Sequence, residues 1–216
     1  MKPSIVLPKG GLYLITPDDS DSERFLERVL SVLNAGIAVL QYRNKLANAD
    51  QMHEQAKVLS QHCRNFGIAF IINDDIKLAH ELGADGVHLG EHDADLKTAR
   101  HVLGSNAIIG VSCYNSLTIA EKAASEGANY LAFGAIYSSG TKPHACNVSL
   151  ELFSHAALLN LPMVAIGGIT LDNAAQTLAA GADFIAVIGA VFDAADPASE
   201  VKSFISRFSK LIPSTK

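Results

Sequence analysis

The first residues that could do chemistry are an amide and two carboxylates in succession, Asn73, Asp74 and Asp75. They directly follow the apolar run 68–72, which is typical of a strand buried on both faces. Oxygen ligands at the point where a buried strand meets solvent suit Mg²⁺. The alternative is that Asp74 or Asp75 only caps the next helix. The metal interpretation gains weight if other strands end in polar, charge-bearing loops of the same kind.

Cationic side chains follow two other apolar runs. Arg43 and Lys45 come after the run 37–42, and Lys142 lies in the loop 134–147 beside hydroxyl-bearing residues. Gln41 and Arg43 are two positions apart, so on a strand their side chains share a face. The alternative is that Arg43 and Lys45 are solvated loop charges.

A further carboxylate, Asp93, follows the run 85–89. Cations that converge with Asp74 and Asp93 on one opening would suit a Mg²⁺–polyphosphate site. In such a site the metal takes few carboxylates and binds phosphate oxygens, while Arg and Lys bind the others. The pattern therefore predicts Mg²⁺ at Asp74 and Asp93, with a diphosphate beside it.

The order of the elements predicts that these loops do converge. Apolar runs alternate with segments of helical period, and the predicted strands are 11–15, 37–42, 68–72, 85–89, 107–111, 129–133, 162–166 and 183–187. Helix starts are expected at Asp50, at Asn115 or Ser116, at Ser149 and at Asp172. The alternation predicts the α/β class, as one (β/α)₈ TIM barrel over 1–216 with its active site at the carboxyl ends of the strands. An open doubly wound sheet is the rival, but no Gly-x-Gly-x-x-Gly turn follows the first strand.

Glycine-containing loops follow the seventh and eighth predicted strands. They are Gly167-Gly168, with Thr170 opening the next helix, and Ile188-Gly189-Ala190. In barrels of this kind these two loops are the usual place for a phosphate, because glycine lets backbone N–H groups approach the anion. The alternative is that they are ordinary turn glycines.

Composition excludes several classes of protein. The net charge of −5, without a basic stripe, argues against a nucleic-acid partner, and no apolar run is long enough to span a membrane. Three cysteines without metal-type spacing indicate free thiols in a reducing cytoplasm. The partners expected are two phosphorylated small molecules, and the sequence is compatible with a homo-oligomer.

Nucleophilic catalysis is not the favoured interpretation. Most histidines fall on predicted helices, where surface positions are expected. Cys113 stands beside Ser112 at the end of the fifth predicted strand, a position where a catalytic thiol is possible. We treat a catalytic thiol there as the less favoured alternative. His88 either orients a ligand or is a hydrogen-bonded histidine of the barrel interior, and the roles of His92 and Cys113 stay open.

Short motifs in a fixed order extend over nearly the whole chain. They are Gln-x-Arg-x-Lys at 41–45, Asn-Asp-Asp at 73–75, His-Leu-Gly-x-x-Asp at 88–93, Gly-Val-Ser at 110–112, Phe-Gly-x-Ile-Tyr at 133–137 with Thr141-Lys142, and Ile-Gly-Gly-Ile at 166–169. With these motifs the chain resembles the thiamine-phosphate synthase family. The resemblance implies Mg²⁺-dependent coupling of 4-amino-2-methyl-5-hydroxymethylpyrimidine diphosphate with 4-methyl-5-(2-hydroxyethyl)thiazole phosphate. It implies a dissociative substitution that gives thiamine phosphate and diphosphate.

The same resemblance implies roles for individual residues. Arg43, Lys45, Lys142 and Ser112 would act in catalysis, and one Mg²⁺ would lie at Asp74 and Asp93. The thiazole phosphate would lie at Gly168, Ile188 and Gly189. The pyrimidine diphosphate would contact Gln41, Tyr42, Arg43, Asn44, Lys45, Asn73, Ser112, Ser139, Gly140, Thr141 and Lys142.

Three positions depart from the family pattern. Glu91 replaces a common Gln, Ser139 replaces a common Thr, and Gly189 replaces a common Ser. These departures bear on substrate affinity more than on activity.

Two other functions are considered. One is a thiazole tautomerase on the same barrel, in which Asp74, Asp93 and the 41–45 cluster would have no role. The other is a non-catalytic barrel that binds a phosphorylated ligand, since a fold does not determine a function.

Overall fold

The computed structural model describes residues 6–90, 93, 95–138 and 148–211. Its strands form one closed parallel barrel in chain order, and β8 pairs with β1 so that Phe184 lies opposite Gly11. The predicted single-domain (β/α)₈ fold is confirmed. The strands are β1 (Gly11–Ile15), β2 (Val39–Tyr42), β3 (Ala69–Asn73), β4 (Gly86–Leu89), β5 (Ile108–Tyr114), β6 (Tyr130–Phe133), β7 (Met163–Ile166) and β8 (Phe184–Val187).

Helices surround this barrel, because each carries one apolar stripe that must be buried against the outer face of the sheet. In the described part of the chain, no helix has both the length and the apolar character needed to cross a bilayer. The helices are α1 (Ser22–Leu33), α2 (Ala49–Phe66), α3 (Ile76–Leu82), α4 (Leu96–Leu103), α5 (Leu117–Ser125), α6 (Glu151–Ala156), α7 (Leu171–Ala179), α8 (Gly189–Phe192) and α9 (Pro197–Leu211).

Alternate residues of each strand face two separate apolar layers. The outer layer lies between strands and helices and includes Leu14, Phe70 and Phe204, which are fully buried. The inner layer fills the barrel and includes Tyr13, Ile71 and Phe184. The inner layer closes the centre of the barrel, so a ligand is expected only at an end of the barrel.

Two helix starts differ from prediction. The N-cap of α2 is Asn48 and not Asp50, and the Asn48 side chain exchanges hydrogen bonds with Gln51 in a capping box. The N-cap of α7 is Thr170, as expected from the glycine loop that precedes it, and not Asp172. In both helices the capping residue stands two positions before the acidic one, which lies in the first turn, where a carboxylate is also favourable.

The other two helix starts give mixed results. Ser116 caps α5, as one of the two alternatives predicted, and accepts from the N–H of Ile119. The helix α6 begins at Glu151, with Leu150 at its N-cap position, so the predicted start at Ser149 was wrong by one residue. The Ser149 hydroxyl nevertheless accepts from the N–H of Glu151 at 3.3 Å.

β5 is longer at its carboxyl end than predicted. It runs to Tyr114, so Ser112 and Cys113 belong to the strand and do not follow it. Its pairing with β6 shifts register between Ser112 and Tyr114, as at a bulge. The polar residues there hid the continuation of the strand from a hydrophobic-pattern analysis.

Candidate active site at the carboxyl ends of the strands

The strand register brings the predicted chemical residues to the same end of the barrel. Gln41 on β2 lies opposite Ile71 on β3, and Asn73 on β3 lies opposite His88 on β4. The Gln41 amide donates to the Asn73 side-chain oxygen at 2.6 Å. The first two predicted motifs are thus in direct contact.

The two aspartates after β3 have different roles. Asp75 is the N-cap of α3 and accepts from the N–H of Leu78 at 2.8 Å. Asp74 has a left-handed backbone, with φ of 63°, and its N–H donates to the backbone oxygen of His88 at 2.9 Å. The capping interpretation is therefore correct for Asp75. Asp74 is not the cap of α3 and is still the predicted metal ligand.

The carboxylates of Asp74 and Asp93 interact across the ends of β3 and β4. Partial burial and contact with the Asp93 carboxylate together raise the pKa of Asp74 to about 6, although Lys45 and the Asn73 side chain oppose the shift. Asp93 itself accepts from the N–H of Gly90. Two carboxylates in contact, near one lysine, favour a shared proton or a shared cation.

Arg43 and Lys45 are held by a carboxylate that the sequence analysis did not single out. The Arg43 guanidinium lies 3.1 and 3.0 Å from the two carboxylate oxygens of Asp18. The Lys45 N–H donates to Asp18 at 2.7 Å. The backbone of Arg43 also exchanges two hydrogen bonds with the Thr16 hydroxyl, at 2.6 and 2.8 Å. The loop after β1 therefore fixes the cationic loop after β2.

Tyr42 and Asn44, between these cations, face the protein interior. They are 1% and 2% exposed, and both side chains donate to the Gln55 side-chain oxygen, at 2.9 and 3.1 Å. Asn44 also exchanges hydrogen bonds with the backbone of Asp19. Their side chains support the loop, so a contact with substrate would come from their backbone.

His88 points into the barrel and is 8% exposed. Its Nδ1 lies 3.0 Å from the Tyr130 hydroxyl and its Nε2 lies 2.9 Å from the Ser112 hydroxyl. Burial lowers the pKa of His88 to about 4, although Asp93 opposes that shift. The imidazole is therefore neutral near pH 7, as expected for a hydrogen-bonded interior histidine.

The glycine loops after β7 and β8 are adjacent. Ile166 pairs with Ala186, so Gly168 and Ile188 each stand two residues beyond that pair, just after the neighbouring strands β7 and β8. Gly168 has φ of 61°, and a Cβ there would lie 2.5 Å from the backbone oxygen of Ser138. This close approach needs glycine at position 168. It brings the start of the loop after β6 to the loop after β7.

Cysteine chemistry has no support from the environment of Cys113. The side chain is fully buried, and burial raises the pKa of its thiol to about 12. A thiol of this kind is protonated near pH 7 and is a poor nucleophile. Cys63 is also a buried free thiol.

Several predicted site residues lie outside the described residues. They are Ser139, Gly140, Thr141 and Lys142 of the loop after β6, together with Glu91 and His92.

The sequence analysis missed Tyr13, Tyr130, Thr16 and Asp18. Tyr13 and Tyr130 have a signal in the sequence, because a tyrosine within a buried strand needs a partner for its hydroxyl. Here the two hydroxyls lie 2.8 Å apart inside the barrel. Thr16 and Asp18 carry no comparable signal, because their partners are more than 20 positions away in the sequence.

Comparisons with known proteins find relatives of similar sequence and a solved structure of similar fold. Residues 12–191 match the family model described as thiamine monophosphate synthase. The thiamine-phosphate synthase of Methylobacillus flagellatus is 51% identical over 201 residues, covering 93% of this chain and 96% of that protein. The protein of the same name from Azoarcus sp. is 51% identical over 199 residues, covering 92% and 97%. The solved thiamine phosphate pyrophosphorylase of Pyrococcus furiosus is 33% identical, with a TM-score of 0.84, covering 94% and 98%.

Proposed function

The chain belongs to the thiamine monophosphate synthase family, and we propose that its barrel mouth joins a pyrimidine diphosphate to a thiazole phosphate. The chain is a transferase of thiamine biosynthesis. The substrates are 4-amino-2-methyl-5-hydroxymethylpyrimidine diphosphate and 4-methyl-5-(2-hydroxyethyl)thiazole phosphate, and the products are thiamine phosphate and diphosphate.

The diphosphate is assigned to the cationic side of the mouth. Arg43 and Lys45 would bind its oxygens, because Asp18 already fixes the Arg43 guanidinium and the Lys45 backbone there. Gln41 and Asn73 are joined at 2.6 Å and present amide groups beside them, with Ser112 across the mouth. Tyr42 and Asn44 would contribute through their backbone. The roles of Lys142 and of the 139–141 loop remain predictions.

One Mg²⁺ is assigned to Asp74 and Asp93. The fit rests on two carboxylates in contact, which a shared cation would stabilise. Burial, together with this contact, raises the pKa of Asp74. No cluster of three or more candidate metal-binding side chains occurs among the described residues, which suits an ion that takes its other ligands from phosphate and water. When bound, Mg²⁺ would offset negative charge on the departing diphosphate.

The residues of the chain have two tasks in this reaction. Arg43 and Lys45 stabilise charge that gathers on the diphosphate as its bond to the pyrimidine methylene breaks, which suits a dissociative step. The thiazole phosphate is held at Gly168, Ile188 and Gly189. Its ring nitrogen then attacks the methylene carbon from a fixed position, so proximity supplies much of the gain in rate. The attacking nitrogen carries no proton, and a general base is not needed.

The observation that carries this proposal is the contact of Asp74 with Asp93 on the same rim as Arg43 and Lys45. A thiazole tautomerase would not require a metal-binding pair of carboxylates beside two cations. A ligand sensor would not require groups that neutralise a leaving group. The test is an assay of the purified chain with both substrates, with and without Mg²⁺. Thiamine phosphate and diphosphate in equal amounts, only with Mg²⁺, would support the proposal. Conversion of a thiazole alone, or binding without turnover, would refute it.

The proposed compartment is the cytoplasm. Cys63 and Cys113 are free thiols in the structure, and free thiols persist most readily in a reducing compartment.

A further inference from the structure

Six side chains from six consecutive strands form a line of hydrogen bonds inside the barrel. We call it the interior chain, and every neighbouring pair in it lies within 3.1 Å. In order along the line, its members are Ser112 on β5, His88 on β4, Tyr130 on β6, Tyr13 on β1, Gln41 on β2 and Asn73 on β3. It ends beside Asp74, the residue that follows Asn73 in the sequence.

The Asn73 end fixes the direction of the amide groups. The Asn73 side-chain oxygen faces Gln41, and an amide oxygen only accepts. The Gln41 nitrogen then donates to that oxygen at 2.6 Å. This leaves the Gln41 oxygen to accept from the Tyr13 hydroxyl at 3.1 Å.

Each remaining link is then decided by counting protons. Tyr13 has one hydroxyl proton and gives it to Gln41, so Tyr130 is the donor in the 2.8 Å contact between the two hydroxyls. Tyr130 has no second proton, so His88 Nδ1 must donate to Tyr130 at 3.0 Å. A neutral His88 then has a bare Nε2, which accepts from the Ser112 hydroxyl at 2.9 Å.

We propose that Tyr13 and Tyr130 are positioning residues that give the interior chain a single direction, from the Ser112 hydroxyl to the Asn73 side-chain oxygen. Through that direction they hold His88 as its Nδ1–H tautomer and turn the Ser112 proton inward. Neither tyrosine is assigned a contact with substrate. The effect on turnover rests on the proposed function, but the tautomer of His88 does not.

Both tyrosines are suited to this role. Tyr13 is 2% exposed and Tyr130 is fully buried, and burial raises the pKa of both hydroxyls, so each keeps its single proton. Tyr130 also stacks on the His88 ring, with centroids 5.6 Å apart and planes 16° apart. The stacked ring holds His88 in the plane that both of its hydrogen bonds need.

The test is ¹⁵N NMR of the histidine side chains in the full chain at pH 7. His88 is assigned as the signal that disappears in His88→Gln. In the unsubstituted protein we expect the Nδ1–H tautomer. In Tyr13→Phe, Tyr130 loses its acceptor and turns its proton to His88 Nδ1, so His88 should convert to the Nε2–H tautomer. In Tyr130→Phe, Nδ1 loses its partner and both tautomers should be present.

Tyr42→Phe is the matched control. Tyr42 is as buried as Tyr13, and its hydroxyl also donates to a glutamine side chain, but that glutamine is Gln55, outside the interior chain. We expect a similar fall in melting temperature for Tyr42→Phe and Tyr13→Phe, with the His88 signals unchanged in Tyr42→Phe. A structural role alone would leave the tautomer unchanged in both.

Kinetics supply a second measurement. Loss of a hydrogen-bond partner that orients a metal ligand typically lowers activity by roughly 10–100-fold, and we take the lower end of that range for a residue that orients an interior histidine. We expect about a 10-fold lower kcat in Tyr13→Phe with a smaller change in KM. The Nε2–H tautomer in the unsubstituted protein, or an unchanged Nδ1–H tautomer in Tyr13→Phe, would overturn the proposal. Since the tautomer needs no substrate, failure of the proposed activity is a separate result.

Discussion

The Arg43 guanidinium meets both carboxylate oxygens of Asp18, at 3.1 and 3.0 Å, and the Lys45 N–H donates to the same carboxylate at 2.7 Å. One side chain on the loop after β1 therefore sets the position of two cationic residues on the loop after β2. The pair is partly exposed, with 24% of the Arg43 side chain and 36% of the Asp18 side chain accessible. An ion pair of this kind adds little to overall stability, so its main effect is on orientation.

The first prediction concerns Asp18. Asp18→Ala removes the acceptors for Arg43 and Lys45, and we expect KM for the pyrimidine diphosphate to rise about fivefold, the equivalent of about 1 kcal/mol. Asp18→Asn keeps one oxygen acceptor, so its effect should be smaller. Steady-state kinetics and a thermal melt check both variants, and the melting temperatures should change little. An equal or lower KM in Asp18→Ala would show that Asp18 does not orient the cations.

The second prediction concerns the assigned metal site. Mg²⁺ should raise the melting temperature of the unsubstituted protein, because a ligand that binds only the folded state stabilises it. The shift should disappear in Asp74→Asn and in Asp93→Asn. The matched control is Asp75→Asn, next to Asp74, because asparagine can still cap α3 and the Mg²⁺ shift should remain.

Substitution of the two assigned metal ligands should also lower the activity. Asp74→Ala and Asp93→Ala should each lower the rate by roughly 10²–10³, the usual effect of removing one well-placed group that stabilises charge. Excess Mg²⁺ should restore part of that rate. Rates close to those of the unsubstituted protein in both variants would remove the metal from these residues.

The third prediction separates the two anion sites. Arg43→Ala should weaken binding of the pyrimidine diphosphate and leave binding of the thiazole phosphate unchanged, because Gly168 and Gly189 lie on other loops. Titration calorimetry with each ligand alone measures both affinities. Arg64→Ala is the control for charge, since Arg64 is exposed in the last turn of α2, at the other end of the barrel. Equal losses for the two ligands in Arg43→Ala would contradict separate sites.

Much of the fold and part of the site could be predicted from the sequence, because both depend on local patterns. Apolar runs and glycine-ended helices define the strands, and the barrel then brings Gln41, Asn73 and Asp74 to one rim. What could not be predicted depends on contacts between distant positions. Asp18 holds Arg43 from 25 positions away, and Tyr13 meets Tyr130 from 117 positions away. The neighbouring residues do not indicate which distant side chain either residue contacts.

The directions of the Tyr42 and Asn44 side chains also differ from those predicted from the sequence. Tyr42 and Asn44 stand between Gln41, Arg43 and Lys45 in the chain, and they were grouped with them. Their side chains instead bond Gln55 of α2 in the protein interior. On β2 alternation explains Tyr42, because successive side chains of a strand point to opposite faces. Asn44 follows the strand, so its direction is set by the loop contacts with Asp19.

The fourth prediction concerns pH and stability through Asp19. The hydrogen bonds from Arg24, one of them at 2.8 Å, lower the pKa of Asp19 to about 2, below its usual 3.8. A lowered pKa in the folded state means that the ionised carboxylate stabilises the fold above about pH 4, and that this stabilisation is lost as the pH falls towards about 2. Because 59% of the Arg24 side chain is exposed, solvent screening makes the contribution of this pair smaller than the shift in pKa alone would suggest.

Urea unfolding of Asp19→Asn at pH 7 and pH 3 measures this contribution. The free energy of unfolding should be lower than that of the unsubstituted protein at pH 7, and the difference should be smaller at pH 3. The double variant with Arg24→Gln should lose little more than Asp19→Asn alone, since the two residues share one interaction. A difference that is the same at both pH values would mean that Asp19 does not act through its charge.

The last prediction concerns the two glycines assigned to the thiazole phosphate, which differ in what a side chain would meet. At Gly168 a Cβ would lie 2.5 Å from the backbone oxygen of Ser138, and φ is 61°, so Gly168→Ala should destabilise the fold strongly.

At Gly189 the close contact is the Asp193 carboxylate, also at 2.5 Å, and this side chain is 79% exposed and can turn away. Gly189→Ser should therefore fold, with stability within about 0.5 kcal/mol of the unsubstituted protein. Its hydroxyl should lower KM for the thiazole phosphate about fivefold, as one added hydrogen bond of about 1 kcal/mol would. Gly189→Ala adds the same Cβ without the hydroxyl, so an equal gain in that control would assign the effect to bulk, and no gain in Gly189→Ser would place the phosphate elsewhere.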